Sequence, residues 1–411
     1  MSDGPRYRVF VIDDDPLVIE LISRYLETAG HEFETATDSA QALKRIGETK
    51  PDVIISDLMM PGIDGYELCK RVKSDPEMAN IRFIVLSAKA YQFDENRVYE
   101  FGADGFIRKP VELEPFVEYI KRIMEDRIDM VFWGVRGTLP VSGGKSLRYG
   151  GNTSCMTLEF PRGQYLIFDG GSGIKALADH LMRNHKKRMK AKILISHPHW
   201  DHINAIPFFT PLYVQGNDFE ILGANQGDTS MRQLISAQMD GVYFPITLSE
   251  FAARVYFRDL EEGQTELDGL VVKTKLLSHP GKCLGYRVEY GGRSICYVTD
   301  NEMYLEDSEY HDRFYEDQLA DFVRGSDALI TDTTYMDDEY ETKVGWGHSC
   351  VSKVVELAHR GEIKTLYLFH HDPDQSDADI DKKLEVAEEL LHDKRSDTKV
   401  LAPSEGQLFR I

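Results

Sequence analysis

The chain has 411 residues, more than one ordinary domain holds, so about two domains of roughly 150–200 residues each are expected. Hydrophobic residues at 42% and charged residues at 28% exclude wholesale disorder, and a net charge of −21 disfavours a chain whose main work is to coat nucleic acid or anionic lipid. No apolar run approaches the ~18 residues of a membrane span, and the opening MSDGPRYRVFVIDDDP lacks the basic-then-apolar pattern of a signal peptide, so a cytoplasmic location without a membrane partner is expected.

Residues 1–125 alternate between strand and helix signals. RVFVID is a short apolar run ending in acids, and PLVIELISRYLETAG has helical spacing that stops at Gly30. EFETA, DVIIS, RFIVLSA and GFIRK read as strands; SAQALKRIGET, DGYELCKRVKS, DENRVYEFGA and ELEPFVEYIKRIMEDR read as helices. This α/β alternation predicts a doubly wound five-stranded parallel sheet with helices on both faces, its function collected at the carboxyl ends of the strands.

Those strand ends carry a coherent set of side chains. Asp13 and Asp14 follow the first strand, Asp57 ends the third, Ser87 ends the fourth, and Lys109 ends the fifth ahead of Pro110. Carboxylates gathered at one edge call for a cation, and their hard oxygens suit Mg²⁺. A hydroxyl and an ammonium beside them suit a phosphoryl group on Asp57. The segment resembles, over its full length, the receiver domain of two-component response regulators. The resemblance implies phosphorylation of Asp57 by a sensor histidine kinase, Mg²⁺ held by Asp13, Asp14 and Asp57, and a readout through Ser87 and Lys109. Phe106 stands where the family has its switch aromatic and reads equally as a core residue.

After the last receiver helix, MEDRIDM leads straight into VFWGVRGTLP with no Gly/Ser- or Pro-rich linker, so that helix is expected to report directly on the second domain, residues 130–411. Here MVFWGV, SCMTLEF, QYLIFD and AKILIS read as strands. AKILIS delivers the loop ISHPHWDHINAIP, with His197, His199, Asp201 and His202 at a sheet edge. Such a cluster of imidazoles and a carboxylate can serve two metal ions close together, and no structural need explains it. Further ligand candidates each follow an apolar run: His279 after VVKTKLLS, Asp300 after SICYVT, and His370 after IKTLYLF, with His371 as the alternative to His370. The cysteines, Cys69, Cys155, Cys283, Cys296 and Cys350, form no C-x-x-C pair and fit a reducing compartment, not a thiolate zinc site.

This order of motifs resembles the metallo-β-lactamase superfamily, an αββα sandwich, and within it most closely the branch of ribonuclease Z and related phosphodiesterases. The resemblance implies that His197, His199 and His279 hold one ion, that Asp201, His202 and His370 hold the other, that Asp300 bridges them, and that Asp169 in LIFDGGSG supports from behind. LITDTTY followed by GWGHSC matches the branch's proton-donor pair and assigns it to Asp332 and His348, with Asp in place of the usual Glu. Arg136 and Asn152, near the GGNTSC motif, are expected to reach substrate. The catalytic set is then Asp201, His348 and Asp332. Two divalent transition-metal ions are expected, Zn, Mn or Fe, besides Mg in the receiver.

The expected function is a response regulator whose phosphorylation at Asp57 controls a dinuclear-metal phosphodiesterase acting on a small phosphodiester, a cyclic nucleotide being one candidate. The stretch after His202 holds Phe208, Phe209, Met231, Met239, Tyr243 and Phe244, which suit a pocket for a ring or a helix core equally well. It lacks the Gly/Pro-rich arm with which ribonuclease Z grips transfer RNA, which disfavours nucleic acid as a partner and an RNA 3′-processing nuclease as the function. A lactonase is disfavoured by the Asp332/His348 match. The basic run His185–Lys192 reads as a solvated helix end, and His31, His180, His311, His359 and His392 as surface residues. Alternatives on the same fold are a diiron redox or oxygen sensor, against which His199 stands where flavodiiron relatives carry Glu, and a non-enzymatic signalling module. A homodimer is the default expectation.

Overall fold

The computed structural model describes residues 5–88, 97–184, 188–242 and 244–411. Part of the helix expected over Asp94–Ala103, the start of the basic run His185–Lys192, and Tyr243 lie outside the described residues. The chain divides into two compact units: residues 1–128 with 160–163, and residues 129–159 with 164–411. No helix among the described residues is long and apolar enough to cross a membrane.

The first unit is a sheet of β1 (Arg8–Ile12), β2 (Glu32–Ala36), β3 (Val53–Asp57), β4 (Arg82–Ser87) and β5 (Gly105–Arg108), in the order β2-β1-β3-β4-β5 and parallel throughout. Alternation along each strand sorts side chains to two faces. Val9, Val11, Ile55 and Leu86 pack with Ile22, Leu26, Phe116 and Ile120 on one side. Phe10, Ile12, Ile54, Phe83 and Val85 pack with Ala42, Ile46, Leu68 and Val72 on the other. Local chemistry sets the helix bounds. Helix Pro16–Ala29 starts at Asp15, whose side chain accepts from the Leu17 amide, and stops at Gly30 in the left-handed region at φ 79°. Strand order reverses at β1, so the ends of β1 and β3 open a crevice between them.

The second unit is two seven-stranded sheets with helices outside them. One holds β6 (Asp129–Gly134), β7 (Cys155–Glu159), β8 (Tyr165–Phe168), β9 (Lys190–Ile195), β10 (Asp218–Ala224), β11 (Arg254–Leu260) and, at its far edge, β19 (Leu408–Arg410), in the order β11-β10-β9-β8-β7-β6-β19. The other holds β12 (Gly263–Leu267), β13 (Leu270–Leu276), β14 (Leu284–Tyr290), β15 (Arg293–Val298), β16 (Ala328–Asp332), β17 (Thr365–Phe369) and β18 (Lys399–Leu401), in sequence order. An aromatic layer fills the space between them. Phe168 lies 5.1 Å from Tyr297 and 6.0 Å from Tyr286, and Phe132 lies 5.7 Å from Tyr367 and 5.9 Å from Phe369. On the outer faces, Leu177 and Leu181 of helix Gly173–Asn184 pack on Ile167, Ile193 and Ile221. Leu319, Val354 and Leu391, from three helices, pack on Leu329, Leu366 and Leu368.

This layering predicts a measurable cost for a hole in the outer core. Leu366 is fully buried on β17. Leu366→Ala should destabilise the second unit by about 2–5 kcal/mol; chemical denaturation should show its midpoint lowered at an unchanged slope, and an unmoved midpoint would contradict the packing described.

Candidate functional site

In the first unit, the strand ends bring Asp13, Asp57, Ser87 and Lys109 to one edge. Asp13 and Asp57 are buried, and Asp14 beside them is exposed. Lys109 Nζ donates to Asp13 Oδ2 at 2.6 Å and to Asp57 Oδ1 at 2.5 Å, while Asp57 Oδ2 accepts from the Met59 amide at 2.6 Å. Burial pushes the Asp13 carboxyl up, with Lys109 opposing. One ammonium against two buried carboxylates leaves negative charge at the edge, the electrostatic condition for a divalent cation. Phe106 is 8% exposed and packs in the core face with Phe83 and Val85.

In the second unit, the ends of four strands of the two sheets meet. His197 to His202 follow β9, His279 follows β13, Asp300 follows β15, and His370 follows β17. His197, His199, His279 and Asp300 form one donor group, and Asp201, His202, Asp300 and His370 form a second, so that Asp300 belongs to both. His199 is on the solvent side, while Asp201, His202, Asp300 and His370 are all buried. His371 is buried elsewhere, its Nδ1 3.4 Å from Lys383 Nζ.

The hydrogen bonds behind these side chains settle which ring nitrogens face inward as lone pairs. Asp169, fully buried, accepts from Ser196 N at 2.7 Å, Ser196 Oγ at 2.9 Å, Tyr297 OH at 2.7 Å and His202 Nδ1 at 2.8 Å. A carboxylate only accepts, so His202 Nδ1 carries a proton, and in the neutral, metal-binding form of the ring Nε2 is the lone pair. That Nε2 faces Asp201 Oδ2 and Asp300 Oδ1 at 3.2 Å and His370 Nε2 at 3.2 Å. On His370, Nδ1 is 3.2 Å from Thr334 Oγ1, whose own proton goes to Asp332 Oδ1 at 2.6 Å. His370 Nε2 therefore also points a lone pair at Asp201 and Asp300, 3.1 Å from each. In the other group, His279 Nδ1 donates to the Gly347 carbonyl at 2.9 Å, and His197 Nε2 is buried without any hydrogen-bond partner 3.5 Å from Asp300 Oδ2. Converging lone pairs with no proton between them repel unless a cation sits among them. The donor set fits two divalent cations. Negative charge dominates this point: burial opposes charge on His202, yet Asp300, Asp201 and Asp169 outweigh it and hold its pKa well above the ordinary value, so a metal cation and a proton on Nε2 compete for the same place.

Backbone geometry is bent to serve this convergence. Asp169, Asp300 and His370 all adopt positive φ, at 59°, 46° and 59°. A Cβ on Gly137 would lie 2.2 Å from the His370 ring, and one on Gly171 would lie 2.1 Å from the Asp201 carbonyl, so glycine is required where the loops close on the site. The Thr138 amide donates to Asp201 Oδ2 at 2.7 Å.

Beside the second donor group, His348 Nδ1 lies 2.9 Å from Asp332 Oδ2, and its ring stacks on His370 at 5.0 Å. The shorter Asp therefore reaches the histidine. Burial lowers the His348 pKa, but Asp332, followed by Asp300 and Asp201, raises it to about 9.

Two expected substrate residues are corrected. Arg136 is 0% exposed, and its guanidinium donates to the carbonyls of Gly150, Asp372 and Gln375. Asn152 is tied to Glu405 through its amide and side chain at 2.6 and 2.7 Å and accepts from Ser172 Oγ at 3.0 Å. Both organise loops, and the Arg136 guanidinium is sealed from solvent, where a substrate cannot reach it. Of the ring candidates, Phe209, Met231 and Met239 are core residues, while Phe208 is 51% exposed and meets Phe244 edge-on. His31 is buried, not at the surface. Ser196, Tyr297, Thr334 and Glu302 carry no pattern that marks them in the sequence; Ser196, Tyr297 and Glu302 stand within three residues of a ligand candidate at a strand end and Thr334 two residues after Asp332, which is the one signal available.

Two family models match the chain: "Response regulator receiver domain" over residues 9–121 and "Beta-lactamase superfamily domain" over residues 166–371. The chain is 32% identical over 123 residues to the DNA-binding dual master transcriptional regulator RpaA of Synechocystis, covering 29% of this chain and 51% of that one. It is 31% identical over 118 residues to the polar-differentiation response regulator DivK of Brucella anthropi, covering 29% of this chain and 96% of that one. The chain thus spans about half the length of the first of these relatives. Among solved structures, the metallo-beta-lactamase fold protein YhfI of Bacillus subtilis aligns at 17% identity and a TM-score of 0.48, covering 70% of this chain and all of that one (100%).

The role of Asp169 can be tested without disturbing the backbone, because Asn tolerates its positive φ. Asp169→Asn removes the carboxylate that fixes His202. Competition against a chromogenic chelator should show divalent-metal affinity reduced by about ten- to a hundredfold; unchanged affinity would mean that His202 is oriented by other contacts.

Proposed function

The chain belongs to the beta-lactamase superfamily and carries a response-regulator receiver domain ahead of that fold; from this premise we propose that its second unit is a dinuclear-metal phosphodiesterase controlled by phosphorylation of Asp57. The observation that carries the reading is the pair of donor groups sharing Asp300, with the His348–Asp332 pair beside the second group. Imidazole and carboxylate ligands suit Zn, Mn or Fe. His197, His199, His279 and Asp300 would hold one ion, and Asp201, His202, Asp300 and His370 the other. When bound, two such cations supply Lewis-acid charge neutralisation and a nucleophile at neutral pH.

The protein's own residues do the rest. Asp169, Thr334 and Gly347 hold the ring nitrogens of His202, His370 and His279 so that each presents a lone pair inward. Asp332 holds the Nδ1 proton of His348, which leaves Nε2 as the proton donor to the departing oxygen of a phosphodiester. A small diester fits the surroundings better than a polynucleotide. Trp200, between His199 and Asp201, is 79% exposed and offers an aromatic face, as a cyclic nucleotide would require, while Trp346, two residues before His348, carries Lys343 Nζ over its ring at 4.1 Å. The net charge of −21 works against a long polyanion. In the first unit, the buried Asp57 beside Lys109, with Asp13 and Asp14 for Mg²⁺, would accept phosphate from a sensor histidine kinase.

Hydrolysis of bis(p-nitrophenyl) phosphate with Mn²⁺, Zn²⁺ or anaerobic Fe²⁺ tests the reading. Turnover that vanishes in His199→Ala is expected, and beryllofluoride, mimicking phospho-Asp57, should change the rate and give the sign of control. No turnover by protein holding two metal ions would transfer the reading to a redox sensor or a ligand-binding module.

The acid role carries a pH dependence of definite sign. His348 must be protonated to donate, so activity is present at low pH and lost as pH rises through its pKa. Cations at Asp201 and Asp300 neutralise two of the carboxylates that raise that pKa, so the alkaline limb should fall no higher than about 9. Asp332→Asn removes the anion in contact and should move the limb to lower pH; a limb unmoved by this change would disconnect His348 from the step.

A further inference from the structure

Glu302 follows the shared Asp300 by two residues, is 1% exposed, and has no part in either donor group. Its carboxylate meets one loop at three points. Oε1 accepts from Tyr340 OH at 2.7 Å and from the Gly345 amide at 2.7 Å, and Oε2 accepts from the Gly347 amide at 2.7 Å. Three donors from residues 340–347 thus converge on one buried anion, each a charge-assisted bond of the stronger kind. A second tie joins the same two segments: Ser349 Oγ bonds the Asn301 carbonyl and accepts from the Met303 amide.

The loop so held touches both halves of the metal centre. The Gly347 carbonyl accepts His279 Nδ1–H at 2.9 Å, which makes Nε2 the inward lone pair of the first donor group. The next residue, His348, reaches Asp332 beside the second. Gly345 and Gly347 sit at φ 85° and 87°, and a Cβ on Gly347 would lie 2.3 Å from His279 Nδ1, so the loop passes as close to the ligand as a backbone can. Its other side chains face solvent, with Val344 40% and Trp346 58% exposed. The neighbouring residues have their own ties, His348 to Asp332 and Ser349 to Asn301, and it is Glu302 that bonds the Gly347 amide itself.

We propose that Glu302 is a positioning residue: through Gly347 it sets the orientation of His279 toward the first metal ion and the placement of His348 at the departing oxygen. The His348 half of this rests on the phosphodiesterase reading; the His279 half does not. The substitution that tests it is Glu302→Gln, which keeps the size but offers one acceptor oxygen and an NH₂ that opposes a glycine amide.

Two readouts on the full-length chain are needed. In competition against a chromogenic chelator with Zn²⁺ alone, Glu302→Gln should still bind two ions, one of them about ten- to a hundredfold more weakly. At saturating Zn²⁺, hydrolysis of aryl phosphodiesters should then split by leaving group: about 10²-fold slower for unsubstituted phenyl, which needs the acid, and less than about tenfold slower for p-nitrophenyl. His348→Ala should show the same split, and the double variant should be no slower than His348→Ala alone. Tyr340→Phe, which removes one donor and keeps the carboxylate, should shift both readouts in the same direction by less, and it carries the test should Glu302→Gln fail to fold. Both ions bound as tightly as in the unchanged chain, or an equal loss for every leaving group, would overturn the proposal. An unchanged chain that holds two Zn²⁺ but cleaves no diester would end the phosphodiesterase reading, and the chelator competition would still decide the role of Glu302 toward His279.

Discussion

Lone pairs that converge without a proton among them repel, and the second unit is built around keeping several of them converged. His202 Nε2, His370 Nε2 and oxygens of Asp201 and Asp300 stand about 3.1–3.2 Å apart inside a buried pocket. A side chain left to itself would rotate away. Here each ring is fixed from behind, by Asp169, by Thr334 or by a backbone carbonyl, and each of those is fixed in turn. Asp169 alone collects four donors. The stiffness that this needs comes from the aromatic layer and the two apolar outer cores, because a close-packed interior transmits a constraint where a loose one absorbs it.

The same logic appears at a smaller scale in the first unit. There the crowded charges are Asp13 and Asp57, and Lys109 is the counter-charge already in place. Both units use the carboxyl ends of strands, where the sheet stops satisfying the backbone and loops are free to present side chains. They differ in what the crowding can accept: a hard cation with a phosphoryl group in one case, nitrogen-and-oxygen-ligated metals in the other.

Much of this was legible in the sequence, for a physical reason. A buried parallel strand needs a continuous apolar run, so the point where the run stops marks the strand end, and a His or Asp just beyond it marks the edge. That is how Asp300 and His370 stand out, and how Asp13, Asp57, Ser87 and Lys109 do, while His279 follows β13, an antiparallel strand of alternating burial. Roles played by contact across the fold leave no such mark. Glu302 meets residues more than 35 positions away, and Tyr297 meets Asp169 from the other sheet. Arg136 and Asn152 mislead in the opposite sense, because a polar residue near a site motif looks the same in sequence whether it faces substrate or ties down a carbonyl. The chemistry of a site is written in residue types; its scaffolding is written in partners.

Asp169, Asp300 and His370 each hold a left-handed backbone conformation that a side chain with a Cβ resists, at a cost on the order of 1–3 kcal/mol apiece. Glycine would relieve that cost at every one of them and would erase the side chain for which the turn exists. The reactive edge of this domain is therefore also a place where its fold gives up some of its stability. At Asp300 and His370, substitutions that harden the protein should accumulate in any selection that asks only for survival on heating, and function would be what they displace, whereas Asp169, which satisfies four buried donors, is kept by stability as well.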